Sequence, residues 1–184
     1  MGLRICLVVV AAWALSCAVP QPARVAPVST TTTTIVVVRH AEKSTDDPRD
    51  PSLSAAGQQR AIALISAVKN AGVTDIYTTQ YKRTRQTAEP LAQQFGLSIA
   101  ERPISGANSA TYAQDLAREI LTRSAGKVVL VVGHSNTVPD IVRALSGSVV
   151  PPITDAEYDH IFSVTIAASG SPRLLQLRFG RPEP

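Results

Sequence analysis

Cysteine is nearly absent from this chain of 184 residues: Cys6 and Cys17 are the whole complement, and both fall within the first 17 positions. Everything from Ala18 onward therefore lacks the means for a disulfide, a thiol nucleophile or a thiolate metal site, and must hold together by core burial alone. Aromatics are sparse too, at 4%, and no run of Lys or Arg is interleaved with them. Nucleic acid is therefore not an expected partner. Charge of one sign does not dominate either, since 18 Lys plus Arg against 14 Asp plus Glu give a net of +4. Apolar runs long enough to cross a bilayer as a helix are missing; the nearest approach, Ile5 to Leu15, is too short.

That short apolar run, preceded by Arg4, reads as a secretory signal over residues 1–17. Ala14-Leu15-Ser16-Cys17 resembles a bacterial lipoprotein box, which implies membrane attachment through a lipidated Cys17, while Ser16-Cys17-Ala18 serves equally as a small-residue cleavage site for free secretion. Gly2 lacks the Ser or Thr at position 6 that myristoylation prefers, because Cys6 stands there. The expected address is exported: periplasmic, outer-membrane lipoprotein or secreted. Residues 18–34, with Pro20, Pro22, Pro27 and the threonines Thr30 to Thr34, read as an extended tether whose last threonines can join a following strand.

From Ile35 to the end, residues 35–184, strand and helix patterns alternate. Ser54 caps an expected helix from about Ala55 to Ala71 with Ile62, Leu64, Ile65 and Val68 as its buried stripe. A strand follows at Thr74 to Thr78, then a helix over Lys82 to Phe95, stopped by Gly96 and interrupted or kinked by Pro90. Leu97 to Glu101 reads as a short strand and Arg102 to Tyr112 as a polar loop. Ala113 to Arg123 reads as a helix with Leu116, Ile120 and Leu121 on one side. The Val128 to Val132 run is a buried strand leading into a helix over Thr137 to Leu145, with Pro139 in its first turn. Ile161 to Ala167 and Arg173 to Phe179 form an antiparallel hairpin. The expected fold is an α/β three-layer sandwich: a mostly parallel central sheet, an antiparallel edge strand and helices on both faces.

Two histidines end the two most apolar runs, Ile35-Val36-Val37-Val38-Arg39-His40 and Val128-Val129-Leu130-Val131-Val132-Gly133-His134-Ser135-Asn136. Buried parallel strands bring both imidazoles to the carboxyl edge of the sheet, where open α/β sheets bind ligands. A neutral imidazole can attack phosphorus without a strong base, so His40 suits a nucleophile. Arg39 beside it has the planar fork that clamps phosphoryl oxygens. His134 opens onto a helix N-terminus, which favours anions. Ser135 and Asn136 are the natural caps of that helix, and Asn136 is also a candidate substrate contact. His160, in Glu157-Tyr158-Asp159-His160, carries no motif and reads as a loop residue.

Arg39-His40-Ala41-Glu42-Lys43 resembles the Arg-His-Gly opening of the histidine phosphatase (phosphoglycerate mutase-like) superfamily, in its small Arg-His-Ala-Glu-Lys type. Leu53-Ser54-Ala55-Ala56-Gly57-Gln58-Gln59-Arg60-Ala61 is similar to that family's Leu-Ser-x-x-Gly helix start. Thr79-Gln80-Tyr81-Lys82-Arg83-Thr84-Arg85-Gln86-Thr87-Ala88 is similar to its Ser-x-Leu-x-Arg-Ala-x-Gln-Thr-Ala, and Gly133-His134-Ser135 to its second histidine motif. The resemblance implies a metal-independent, cofactor-free phosphatase working through a phosphohistidine on a small phosphorylated substrate or phosphoprotein. It implies catalytic roles for Arg39, His40, Arg83 and His134, with Arg39, Arg83 and His134 on the substrate, where Asn136 is the further candidate contact. Arg85, about 200° around the helix from Arg83, is left on the rim.

The leaving-group end departs from the family pattern. Arg102 to Tyr112 contains no acid, and Ser135 stands where one branch has an aspartate. The candidate proton donors are Glu42, Asp46, Asp47, Asp50 and Glu101. Without a placed acid, leaving groups that need little protonation are the expected substrates: aryl and acyl phosphates, phosphohistidine or pyrophosphate bonds. Three alternatives are a phosphoglycerate mutase-like phosphotransferase, a non-catalytic phosphate-ligand-binding module on the same fold, and a zinc site built on His40 and His134. The last lacks any His-Glu-x-x-His spacing.

Overall fold

Valine, with Ile35 in one strand and Leu130 in the other, fills β1 (Thr33–Arg39) and β4 (Val128–Gly133), and both strands are covered on both faces, which is why their apolar runs are continuous rather than alternating. The computed structural model describes residues 31–182. The signal, lipidation and cleavage readings on residues 1–17, and the tether up to residue 30, lie outside the described residues. Thr33 and Thr34 join β1. Among the described residues, no helix is long and apolar enough to cross a membrane.

After β1 come α1 (Ala55–Val68), β2 (Val73–Thr78), α2 (Lys82–Phe95), β3 (Ile99–Glu101) and α3 (Tyr112–Arg123). β4, α4 (Val138–Ser146), β5 (His160–Ile166) and β6 (Arg173–Arg178) complete the described chain. The six strands form one sheet in the order β3-β2-β4-β1-β5-β6. β1, β2, β3 and β4 pair in parallel, whereas β5 runs antiparallel to both β1 and β6. The expected sandwich is thus the observed one, with the β5–β6 hairpin supplying the antiparallel edge.

Alternate side chains of the central strands build two cores. Val36, Val38, Leu130 and Val132 pack with Leu64 and Val68 of α1 and Leu91 of α2. Ile35, Val37, Val129 and Val131 pack on the other face with Leu116 and Ile120 of α3 and Ile141 and Val142 of α4. The chain leaves β1 toward β2 by way of α1 and leaves β4 toward β5 by way of α4, so the two connections diverge to opposite faces. A crevice opens where they part, at the carboxyl ends of two adjacent strands.

Several local expectations change. Ile62 is 60% exposed, because α1 turns Gly57, Ala61, Leu64 and Val68 inward together with Arg60. Leu121 is 40% exposed, since α3 buries Ala113, Leu116, Ala117 and Ile120 instead. α2 runs unbroken through Pro90 and ends on Gly96 in the left-handed conformation. The cap of α4 is Thr137 rather than Ser135 or Asn136; its hydroxyl turns back to accept from the His134 backbone N–H at 2.9 Å. His160 is not a loop residue: it opens β5 opposite Arg178, with its ring stacked on Phe162.

Candidate active site

The register of β1 and β4 brings the two histidines together. Arg39 lies opposite Gly133, and the His40 backbone N–H donates to Gly133 O at 2.9 Å, so the residues that end each strand are immediate neighbours. The imidazole centroids are 5.3 Å apart and the rings are tilted by 65°. His40 is 4% exposed and His134 8%. Burial disfavours the charged form of each ring. It pushes the His40 pKa down to about 3, aided by His134, Arg39 and Arg83 and opposed by the bond to Ala41. Burial likewise pushes His134 down to about 4, with Arg83 and Arg39 adding to the effect. Both rings are therefore neutral at ordinary pH.

Their hydrogen-bond partners make them unequal. His40 Nδ1 lies 2.8 Å from Ala41 O, and a carbonyl can only accept, so Nδ1 holds the proton and Nε2 keeps its lone pair. His134 Nε2 lies 2.9 Å from the Thr79 hydroxyl, which lies 2.9 Å from the Thr84 hydroxyl. The single Thr84 proton is directed at the carbonyls of Tyr81, 2.8 Å away, and Thr79, 3.1 Å away. Thr79 then donates to Thr84 and accepts from His134, which puts the neutral His134 proton on Nε2 and leaves Nδ1 as the basic atom.

The arginines present unfilled donors beside these rings. Arg39 is buried, and its Nη1 donates to the carbonyls of Thr154 (2.7 Å), Asp155 (3.2 Å) and Glu157 (2.9 Å). Its guanidinium lies 3.9 Å from the Tyr158 ring centroid. Arg39 Nε is buried and has no hydrogen-bond partner among the described residues, and Nη2 has only a 3.7 Å approach to Asp155 Oδ1. Arg83, in the first turn of α2, lies over the Tyr81 ring; its Nη1 is buried, without a hydrogen bond, 3.7 Å from Asp50 Oδ1. Buried donors left open are uncommon, and here they line the same cleft as both imidazoles. Arg85 pairs with Glu101 at 3.1 Å, away from that cleft.

The cleft measures about 390 Å³, within the ~300–1,000 Å³ range of small-molecule sites. Asn136 and Ser135 line it beside His134. The β3–α3 loop forms a further wall, held there by Gln80, whose amide accepts from Ile104 N–H at 3.0 Å and donates to Ile104 O at 2.9 Å.

None of the five carboxylates expected as proton donors lines the cleft. Glu42 makes a bidentate pair with Arg60, at 2.8 to 3.0 Å. Asp46 binds Ser44 and the Ser52 N–H, and Asp47 caps the Arg49 and Asp50 N–H groups. Asp50 accepts from Lys82 N–H at 2.9 Å, and Glu101 is held by Arg85. Among the described residues, the one carboxylate in the cleft wall is Asp155, and its side chain is fully exposed. The sequence reading missed Asp155, Tyr158, Thr79 and Tyr81. Thr79 and Tyr81 belong to the Thr79–Ala88 motif; the 154–158 segment carries no motif, because it serves Arg39 through backbone carbonyls and the face of one aromatic ring. No group of three or more His, Cys, Asp or Glu able to hold a metal ion occurs among the described residues, so the zinc alternative finds no third ligand there.

Residues 35–104 match the model of the histidine phosphatase superfamily (branch 1). A probable phosphoglycerate mutase, GpmB, of Escherichia fergusonii is 35% identical over 75 residues, covering 38% of this chain and 35% of that protein. The match thus spans about a third of the curated relative's length. Among solved structures, a phosphoserine phosphatase of Entamoeba histolytica in complex with 3-phosphoglyceric acid superposes with a TM-score of 0.59 at 16% identity, over 82% of this chain and 98% of that one. The protein histidine phosphatase SixA complexed with tungstate gives 0.57 at 20% identity, over 79% and 96%. At these identities the two superpositions establish the fold. Arg39, His40 and Arg83 lie inside the matched segment, and His134 lies beyond it.

Proposed function

We propose that this chain, whose residues 35–104 belong to the histidine phosphatase superfamily, is a phosphatase that hydrolyses phosphoryl compounds through a phosphohistidine on His40. The observation that carries this reading is the His40 tautomer: Nδ1–H is held by Ala41 O, which leaves Nε2 its lone pair in a cleft also lined by Arg39 and Arg83, whose Nε and Nη1 are unfilled donors. Nε2 attacks phosphorus, the P–N bond forms and the bond from phosphorus to the leaving atom breaks, an oxygen in a phosphate ester or acyl phosphate and a nitrogen in a phosphohistidine. Water then attacks phosphorus from the opened side, the P–N bond breaks, and orthophosphate leaves with His40 neutral again. Arg39 Nε and Nη2 and Arg83 Nη1 offset charge on the equatorial oxygens in both steps. A bound dianion raises the basicity of His134, whose Nδ1 takes a proton and becomes a further donor.

The leaving-group side of the cleft supports activated substrates. Ile104, Ser105, Ser109, Ser135 and Asn136 offer no acid there, and the one carboxylate of the wall, Asp155, has a fully exposed side chain 3.7 Å from Arg39 Nη2. Aryl or acyl phosphates and phosphohistidine, whose leaving groups depart with little protonation, fit better than alkyl monoesters. A phosphoglycerate mutase-like transfer is the alternative that the GpmB resemblance supports.

The test is hydrolysis of an aryl phosphate by the wild type and His40→Ala, with a search for an acid-labile phosphoenzyme. The expected outcome is a loss of about 10³-fold or more in kcat and no labelled protein in the variant. Equal rates would end the nucleophile assignment. Survival of activity in a strong chelator separates this reading from metal-assisted hydrolysis.

A further inference from the structure

Arg39 is aimed by a turn at the rim of the cleft, of which Asp155 alone reaches the wall. Three carbonyls, from Thr154, Asp155 and Glu157, converge on the single nitrogen Nη1. Carbonyls this close in sequence point at one atom only if the chain turns tightly, and the turn here is closed at both ends by one side chain. Glu157 Oε2 accepts from the Thr154 backbone N–H and from its hydroxyl, both at 2.8 Å. The Glu157 N–H in turn donates to Thr154 O at 3.2 Å. Its other oxygen, Oε1, accepts from His160 Nε2 at 3.2 Å and lies 3.9 Å from Arg178 Nη2, which ties the turn to β5 and β6. The next residue, Tyr158, supplies the flat face against which the guanidinium rests.

We propose that Glu157 is the positioning residue for the phosphoryl-binding edge of Arg39, acting through the 154–157 turn that it closes. The inference rests on the reading of the cleft as a phosphoryl site. Guanidinium offers five N–H donors in a fixed plane. With the Nη1 edge held by backbone carbonyls and the plane held by Tyr158, the fork can rotate neither in its plane nor out of it. The donors that remain, on Nε and Nη2, form a parallel pair suited to two oxygens of one phosphoryl group. Once Glu157 is removed, the two Thr154 donors lose their acceptor and the turn opens. Nη1 must then seek other partners, and the fork swings off the cleft. Neither His40 nor Arg83 contacts this turn by any hydrogen bond among the described residues, so the effect falls on the grip on the oxyanion rather than on the nucleophile.

Orthophosphate binding to the full chain, measured by calorimetry, reads this directly, with the unfolding temperature followed in parallel. Glu157→Ala is expected to weaken orthophosphate binding by about tenfold or more, the scale of losing one aligned charged hydrogen-bond pair. Glu157→Gln retains an oxygen for Thr154 and is expected to stay within about threefold of the wild type. Thr154→Val, which deletes one donor of the clamp, weakens binding by a smaller factor in the same direction.

A folded Glu157→Ala protein with wild-type orthophosphate affinity would overturn the inference, as would a folded Glu157→Gln protein as weak as the alanine variant, since charge and not the turn would then be at work. Should the alanine variant fail to fold, unchanged affinity in Thr154→Val overturns it. A wild type that binds orthophosphate but hydrolyses nothing refutes the phosphatase reading and leaves the same binding series to decide on Glu157. A wild type that binds no orthophosphate overturns both.

Discussion

Burying two neutral histidines side by side makes stability depend on pH in a window where few other groups titrate. In the unfolded chain each imidazole takes up a proton near its ordinary pKa of 6.5, whereas in the folded protein His40 does so only at about 3 and His134 only at about 4. Between those limits the unfolded state binds more protons, so stability is full above about pH 7 and falls as the solution is acidified. Near pH 5 each unfolded imidazole has gained about 2 kcal/mol from protonation while the folded rings have gained almost nothing, giving a combined loss of roughly 4 kcal/mol relative to pH 8. The carboxylates that are held low, Glu157 and Asp46 at about 2 and Asp47, Asp75, Asp115 and Glu119 below their ordinary range, lose their contribution only at more acidic pH and do not obscure the window. Urea unfolding at pH 8 and pH 5 measures the difference. His40→Asn keeps a donor for Ala41 O and is expected to recover about half of the loss, and His134→Gln, which keeps a donor for Thr79, the other half. An undiminished pH dependence in both variants would show that the buried histidines are not its source. The same neutrality predicts an acid limb of activity well below the 6.5 of a free imidazole.

Two further substitutions test the loop that follows His40. A Cβ on Gly57 would lie 2.2 Å from the Glu42 carbonyl oxygen, far inside contact distance. Gly57→Ala should therefore destabilise by about 2 kcal/mol or more in urea unfolding, against the ~1 kcal/mol gain that helix propensity alone gives; a more stable variant would contradict the contact. Glu42→Gln removes the charge from the bidentate pair that Glu42 makes with the buried Arg60, whose Nη1 also donates to Phe179 O at 3.1 Å and Arg181 O at 3.0 Å. Stability should drop by about 2 kcal/mol while the alkaline limb of the pH–rate profile stays in place; loss of that limb would restore Glu42 as a proton donor.

Where the physics is periodic, the sequence was legible. β1 and β4 are continuous apolar runs because both of their faces are covered, and that double burial brings both histidines to one edge of the sheet; that the two strands are neighbours is seen only in the pairing itself. Arg83 and Arg85 could be separated by helix geometry, and they do part, one to the cleft and one to Glu101. Periodicity failed at Ile62 and Leu121, since an apolar residue at the border of a stripe does not reveal which way the helix is rolled. It also failed at Arg60, a charge in a core position whose partner, Glu42, belongs to a different motif. The acceptors of Arg39 were illegible in principle, because any residue has a carbonyl and only the folded turn makes those of 154, 155 and 157 converge.

That distinction also accounts for why two such similar histidines need not do the same work. Each ends a valine-rich strand, each is buried and each is neutral; their sequence neighbours, Arg39 beside His40 and a helix start after His134, already suggest different roles, but burial does not tell them apart. What differs is the partner of one ring nitrogen. Ala41 O has no proton to give, so His40 carries a fixed tautomer with Nε2 bare. Thr79 has a hydroxyl that can give or take, and its direction is set one residue further away by Thr84, whose own proton is spent on backbone carbonyls. A nucleophile requires a lone pair that is present before substrate arrives, and a carbonyl guarantees it. A group that must become a donor when a dianion binds is better served by a basic nitrogen with its other side already satisfied, and that is the state in which the two threonines leave His134.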